Sequence, residues 1–291
     1  MSSNQSIRPD LLHPDEPQVS VEFAARSERG LHRAANEDHY LVSCMSRNLR
    51  TLATNISPAF LSTLNTQNIY AMVVADGIGS QGAGELASKE AISLLQRFVQ
   101  ETPDWIMQLN DDRADQVLLR MKERFEDVSS HLREYAQQDP SLNQMKTTLT
   151  VAASQGFQLI IGHTGDSRAY LFREGKLIRL TNDQTFSQSL ADSGAPEWKV
   201  QSHVLRDTLT GALGSESVAD APEFHRYRIQ SGDQVLLCSD GLTDYVSDAE
   251  IAGLLAAGSS VEATAAALVE FAKLAKSADD ITVILTNYRF T

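Results

Sequence analysis

Asp76 closes an apolar run and is followed at once by glycine, in the stretch "VVADGIGSQGAGE" (73–85). A carboxylate at a strand end is held at the rim of a sheet, where it suits a hard cation such as Mg²⁺ or Mn²⁺. Gly77 lets the backbone turn there and frees its own carbonyl to ligate. The same stretch spells G-x-G-x-x-G at Gly77, Gly79 and Gly82, the pattern of a dinucleotide-binding turn. That turn needs glycine directly at the strand end and a second strand closing on an acid about 20 residues later. Here Asp76 intervenes, and "QETPDW" (100–105) closes a helix. The cation reading needs further acids at matching places, and they occur. "NED" (36–38) precedes an apolar run, "GDSR" (165–168) and "SDG" (239–241) follow such runs, and "DD" (279–280) opens another. Asp and Gly favour strand ends in any protein, so the reading rests on all five stations together.

The elements that must carry these acids are legible as apolar patterns. Strands are expected over 21–28, 39–44, 69–76, 147–154, 157–164, 234–240 and 280–288, with a hairpin over 168–181 turning at Arg173-Glu174-Gly175-Lys176. A helix is expected over 84–100. In a second, Val117, Met121, Phe125, Val128, Leu132 and Tyr135 recur at helical spacing, a core-facing stripe. Two more helices are expected over 247–258 and 261–277. Strands, then two helices, then many strands do not make a βαβ alternation. The order implies an α+β fold with antiparallel sheets and helices segregated outside them. Residues 1–19 read as a loose polar tail and 45–68 as an insertion. Residues 182–222 read as an irregular polar flap on a domain spanning 20–291.

Bulk properties narrow the function. The formal net charge of −13 argues against a nucleic-acid binder, which needs a basic stripe. It also requires that any anionic substrate find positive charge supplied locally. No apolar run approaches the roughly 20 residues of a membrane helix, and the N-terminus lacks a secretory pattern. Two cysteines, Cys44 and Cys238, make no disulfide framework; a cytoplasmic, monomeric protein is the expectation.

The motifs "RAANED" (33–38), "VVADGIG" (73–79), "TTL" (147–149), "GDSRAY" (165–170), "LTND" (180–183), "LTGALG" (209–214), "LLCSDGLTD" (236–244) and "DDITVILT" (279–286) run in one order. In that order they resemble the PP2C (PPM) metal-dependent Ser/Thr protein phosphatases, bacterial members above all. The resemblance covers about residues 20–288. It implies a four-layer α-β-β-α sandwich, two antiparallel sheets flanked by helices, with a site at one rim. It further implies two Mn²⁺ or Mg²⁺ ions, with a third in bacterial relatives, and phosphorylated proteins as partners. By position, Asp76 resembles the ligand shared by two ions. Asp38, with Glu37 beside it, and the Gly77 carbonyl resemble ligands of one ion. Asp240 and Asp279 resemble those of the other, and Asp166 that of the third. Arg33 resembles the phosphate-binding arginine.

The chain departs from that pattern in four places. Ile78 stands where animal relatives carry a histidine proposed as general acid. Lys146 replaces a glycine, Gln184 follows Asp183 where His is common, and the 45–68 insertion is long. His163, on a strand near Asp166, reads as a neutral structural histidine. Two rivals remain at this stage. "CMSRNLR" (44–50) has the C-x5-R spacing of a Cys-dependent phosphatase but lacks internal glycine. A non-catalytic binding module on the same fold is the other.

Overall fold

The computed structural model describes residues 19–47, 53, 55–57, 67–101, 114–142, 144–196, 198, 200, 203–205, 207–215 and 221–290. One sheet contains β1 (Val19–Glu28), β7 (Arg168–Arg173), β8 (Lys176–Arg179), β10 (Gln234–Cys238) and β11 (Ile281–Phe290), in the order β1-β11-β10-β7-β8. The other contains β2 (Asp38–Arg47), β3 (Gln67–Ile78), β5 (Leu149–Gln155), β6 (Gln158–Thr164) and β9 (Glu223–Arg228), in that order, with the two-residue β4 (Lys146–Thr147) pairing β3. Neighbouring strands run antiparallel throughout.

Alternation along the strands builds four layers. In β3, Met72 and Val74 face the other sheet, while Val73 and Ala75 face helices. Successive strand side chains point to opposite faces, so a strand buried on both reads as continuous apolar sequence. Helices α1 (Ala83–Glu101) and α2 (Ala114–Gln138) cover this sheet, and the Val117–Leu132 stripe of α2 is fully buried against it. In β11, Ile284 and Tyr288 join the inter-sheet core. Ile281, Val283 and Leu285 pack against α5 (Asp248–Ala256) and α6 (Val261–Leu274). Ser247 and Glu250 form a reciprocal capping box that fixes the start of α5. Among the described residues no helix is long and apolar enough to cross a membrane.

Three elements differ from expectation. The strand expected over 147–154 is broken at Thr148, where the N–H of the facing Asp76 donates to the Thr148 hydroxyl, while the Thr148 N–H still donates to Asp76 O. The polar stretch 182–222 is not wholly irregular. It contains α3 (Phe186–Asp192), whose N-cap Thr185 accepts from the Gln188 N–H, a capping residue the polar composition concealed. Strand β9, rich in charge, carried no alternation strong enough to be expected. The tail falls almost wholly outside the described residues. So does most of the 45–68 insertion, since β2 runs on to Arg47 and β3 begins at Gln67.

Candidate metal centre

Antiparallel pairing sets the start of β2 beside the end of β3, and the register places Asp38 directly opposite Asp76. Like charges so placed destabilise a sheet. The second sheet adds to them from the same end. Asp240 opens the short helix α4 (Asp240–Thr243) directly after β10. Asp166 lies in the turn between β6 and β7. One carboxylate oxygen from each of Asp76, Asp166 and Asp240 lies within 4.8 Å of the others. Ser239 ties the two sheets together at this point, donating from Oγ to Asp38 Oδ2 at 2.7 Å.

Burial and crowding disfavour so much negative charge. Burial lifts the Asp38 carboxyl to about 7 against the pull of Ser239, and lifts Asp166 to about 7 with help from Asp183 and Asp244. Asp76 is held well above the usual carboxylate range by burial, then by Asp38, Asp240, Asp166 and Asp279. Asp240 is held there by burial, then by Asp166 and Asp279. Glu37 is raised by burial, with Arg33 opposing. Asp38 Oδ1 and Asp240 Oδ1 are buried without a hydrogen-bond partner among the described residues. Orphaned buried acceptors of this kind are costly and call for a cation.

Glycine makes room at the same place. A side chain on Gly84, in the first turn of α1, would begin 2.8 Å from the Gly77 carbonyl oxygen and 2.9 Å from Glu37 Oε2. Conversely, a Cβ on Gly77 would fall 2.1 Å from the Gly84 carbonyl oxygen. The glycine-rich stretch therefore lets the end of β3 touch the start of α1 and leaves an oxygen-lined cradle. Oxygen donors only, crowded and undercompensated, are what a hard divalent cation takes, and the residues fit one.

The trio opens into a cleft of about 550 Å³ lined also by Arg33, Glu37, Gly77 and Asp279. Asp38 is buried behind it. Asp279 lies on its wall outside the tight trio, and its oxygens accept three hydrogen bonds. Arg33 donates from Nε and Nη2 at 2.7 and 2.6 Å, and the Asp280 N–H donates at 2.7 Å. Arg33 also lies 3.6 Å from Glu37, and its bond to Asp279 raises its pKa further. Asp280 was not singled out from the sequence as a site residue, yet it staples the segment that carries Arg33, Glu37 and Asp38. Its oxygens accept from the N–H groups of Gly30 and Glu37 at 2.8 and 2.7 Å. Ser239 and Thr148 were missed too, being serine and threonine among many; only their adjacency to acid motifs marked them.

The departures have defined places. Ile78 pairs with Lys146 across β3 and β4, and both line the cleft. Gln184 is buried and accepts from Thr164 Oγ1 and the Gly165 N–H at 2.8 and 3.0 Å while donating to Ala221 O at 2.8 Å. It thus anchors the turn bearing Asp166. His163 is buried between Thr150 Oγ1 and Asn182 O, and burial lowers its pKa to about 4, so it is neutral as expected. Cys44 is exposed near the far end of β2, six residues and roughly 20 Å of strand from Asp38. Arg50 of the C-x5-R spacing lies outside the described residues. Cys238 is buried and pushed up to about 12 by that burial.

Comparison with known proteins agrees with this geometry. Residues 59–275 match the family described as Protein phosphatase 2C. The chain is 33% identical over 269 residues to the serine/threonine protein phosphatase PstP of Mycobacterium tuberculosis, covering 92% of this chain and 45% of that protein. It thus spans under half of that relative's length. It is 31% identical to the serine/threonine phosphatase stp of Listeria welshimeri, covering 76% of this chain and 85% of that one. A solved structure of the PstP catalytic domain in complex with two manganese ions superposes with a TM-score of 0.71 at 30% identity, covering 94% of this chain and 100% of that one.

Proposed function

The chain belongs to the protein phosphatase 2C family, and from that premise we propose that it hydrolyses phosphoserine and phosphothreonine in proteins with Mn²⁺ or Mg²⁺ bound. The observation that carries this reading is the convergence of Asp76, Asp166 and Asp240 within 4.8 Å, with buried acceptors on Asp38 and Asp240 left unpartnered. In this reading Asp76 would be a ligand common to the cations, with Glu37, Asp38 and the Gly77 carbonyl holding one, Asp240 and Asp279 another, and Asp166 a third. When bound, such cations supply positive charge to the phosphoryl oxygens and activate water for in-line attack.

The chain's own residues orient and hold the substrate. Arg33 sits on the cleft wall with a planar fork of donors suited to phosphoryl oxygens. Asp279 holds its Nε and Nη2 edge, which fixes the guanidinium plane and leaves the remaining Nη protons for phosphoryl oxygens with little conformational entropy lost. Ile78 offers no proton, so the leaving alkoxide takes one from water. No side-chain nucleophile is required. The domain is expected to act on phosphoproteins as a monomer. Turnover of a phosphothreonine peptide tests the proposal: activity with Mn²⁺ that vanishes with EDTA and in Asp240→Asn supports it. Full turnover in EDTA refutes it.

A further inference from the structure

We propose that Lys146 is a substrate-binding residue that contacts the phosphoryl dianion beside Arg33, an inference that rests on the phosphatase reading and adds a residue to it. Six carboxylates line the cleft against two cations, Arg33 and Lys146. Arg33 is bound to Asp279 through two of its nitrogens and lies near Glu37 with the third. Lys146 has no ion pair or hydrogen bond on its ammonium among the described residues. It is the one uncommitted positive charge on the wall, in a protein whose net charge of −13 otherwise repels a phosphate.

Its placement is fixed by backbone pairing. Lys146 faces Ile78 across β3 and β4, and directly opposed residues in an antiparallel pair project to the same face. Both line the cleft. Thr147 pairs with Gly77 and donates from Oγ1 to Asp76 O at 2.8 Å, and Thr148 N donates to the same oxygen at 2.9 Å. On its other side, Thr147 exchanges two backbone hydrogen bonds with Leu213 at 3.2 and 2.9 Å. The base of the lysine is therefore locked two residues along the β3 register from the backbone of Asp76. Its flexible stem can bring a compact ammonium, with three donors, over whatever anion occupies the cleft. Ile78 beside it contributes an apolar wall and no competing donor.

The test uses the Mn²⁺-loaded chain, a phosphothreonine peptide as substrate and inorganic phosphate as competitor. Lys146→Met keeps the stem and removes the charge. The expected result is a rise of about tenfold in both KM and the phosphate inhibition constant, with kcat within about twofold. Lys146→Arg is expected to restore both constants to within about threefold. Mn²⁺ affinity, read by calorimetry, separates a substrate contact from a general field effect. Unmoved KM and inhibition constant in Lys146→Met, or a change confined to Mn²⁺ affinity, overturns the inference while wild-type turnover upholds the phosphatase reading. Absence of turnover in the wild-type chain overturns both.

Discussion

Arg33 and Asp279 meet fork to fork, with Nε 2.7 Å and Nη2 2.6 Å from the two carboxylate oxygens. A residue suited to hold phosphate thus also holds a residue suited to hold a cation. Replacing Arg33 by Ala removes the phosphate contact and releases Asp279. The expected outcome is a loss of kcat/KM of about a hundredfold together with tighter Mn²⁺ binding. Arg33→Lys, unable to make both bonds, is expected to lose at least about tenfold. Steady-state kinetics and calorimetry on the same preparations check the opposite signs.

Replacing Asp76 by Asn keeps shape and removes charge. Hydrolysis is expected to fall by about a thousandfold or more. The metal-free protein is expected to melt higher than wild type, because repulsion from Asp38, Asp240 and Asp166 is relieved. Scanning calorimetry in EDTA reads this; a lower melting temperature would contradict the repulsion argument.

The carboxylates make stability and cation binding pH-dependent. Asp38 and Asp166 titrate at about 7 in the fold against an ordinary 3.8. Between those values the folded chain holds more protons than the unfolded one, so metal-free stability falls as pH rises through that window. His163 slopes the other way. Its folded pKa of about 4 lies below the ordinary 6.5, so its contribution is present above 6.5 and is lost as pH falls toward 4. The gain in Tm on adding Mn²⁺ cancels the histidine and isolates the carboxylates. It is expected to be small at about pH 5 and to grow through about pH 7. A gain independent of pH would count against ionised carboxylates as the cation's ligands.

Asp280→Ala leaves the N–H groups of Gly30 and Glu37 without their acceptor. The expected cost is about 2–4 kcal/mol, a Tm lowered by roughly 5–10 °C. Turnover is expected to fall as well, since the freed segment carries Arg33 and Glu37. Asp280→Asn, with one acceptor left, should fall between. Thermal melts of both variants decide this.

The acid stations at 36–38, 76, 165–168, 239–241 and 279–280 were legible because each ends or begins an apolar run, and antiparallel pairing brings such ends together. The stripe on α2 was legible for the same reason, a period matched to a buried face. Asp280 was not separable from Asp279, since two adjacent aspartates differ only in which way the backbone aims them. One meets Arg33 and the other two backbone amides. The glycines of 77–84 spell a dinucleotide turn in letters, and Asp76 ahead of them already spoke against it. The close approach of Gly77 to Gly84 adds what the letters could not show, a cradle lined by oxygens. Strand β9 and helix α3 escaped because charge and serine obscure periodicity where a sheet edge or a cap, not an apolar face, fixes the element.

β11 lies between β1 and β10, with Asp279 and Asp280 just ahead of it. The first strand of the sheet thus has no partner until residues 281–290 emerge from the ribosome. Loop closure over the whole domain must precede that pairing. A nascent chain ending before Asp279 carries Arg33, Asp38 and Asp76 yet lacks the two acids that hold Arg33, Gly30 and Glu37 in place. The contacts of Asp279 with Arg33 and of Asp280 with Gly30 and Glu37 therefore form late, across more than 240 residues of intervening chain.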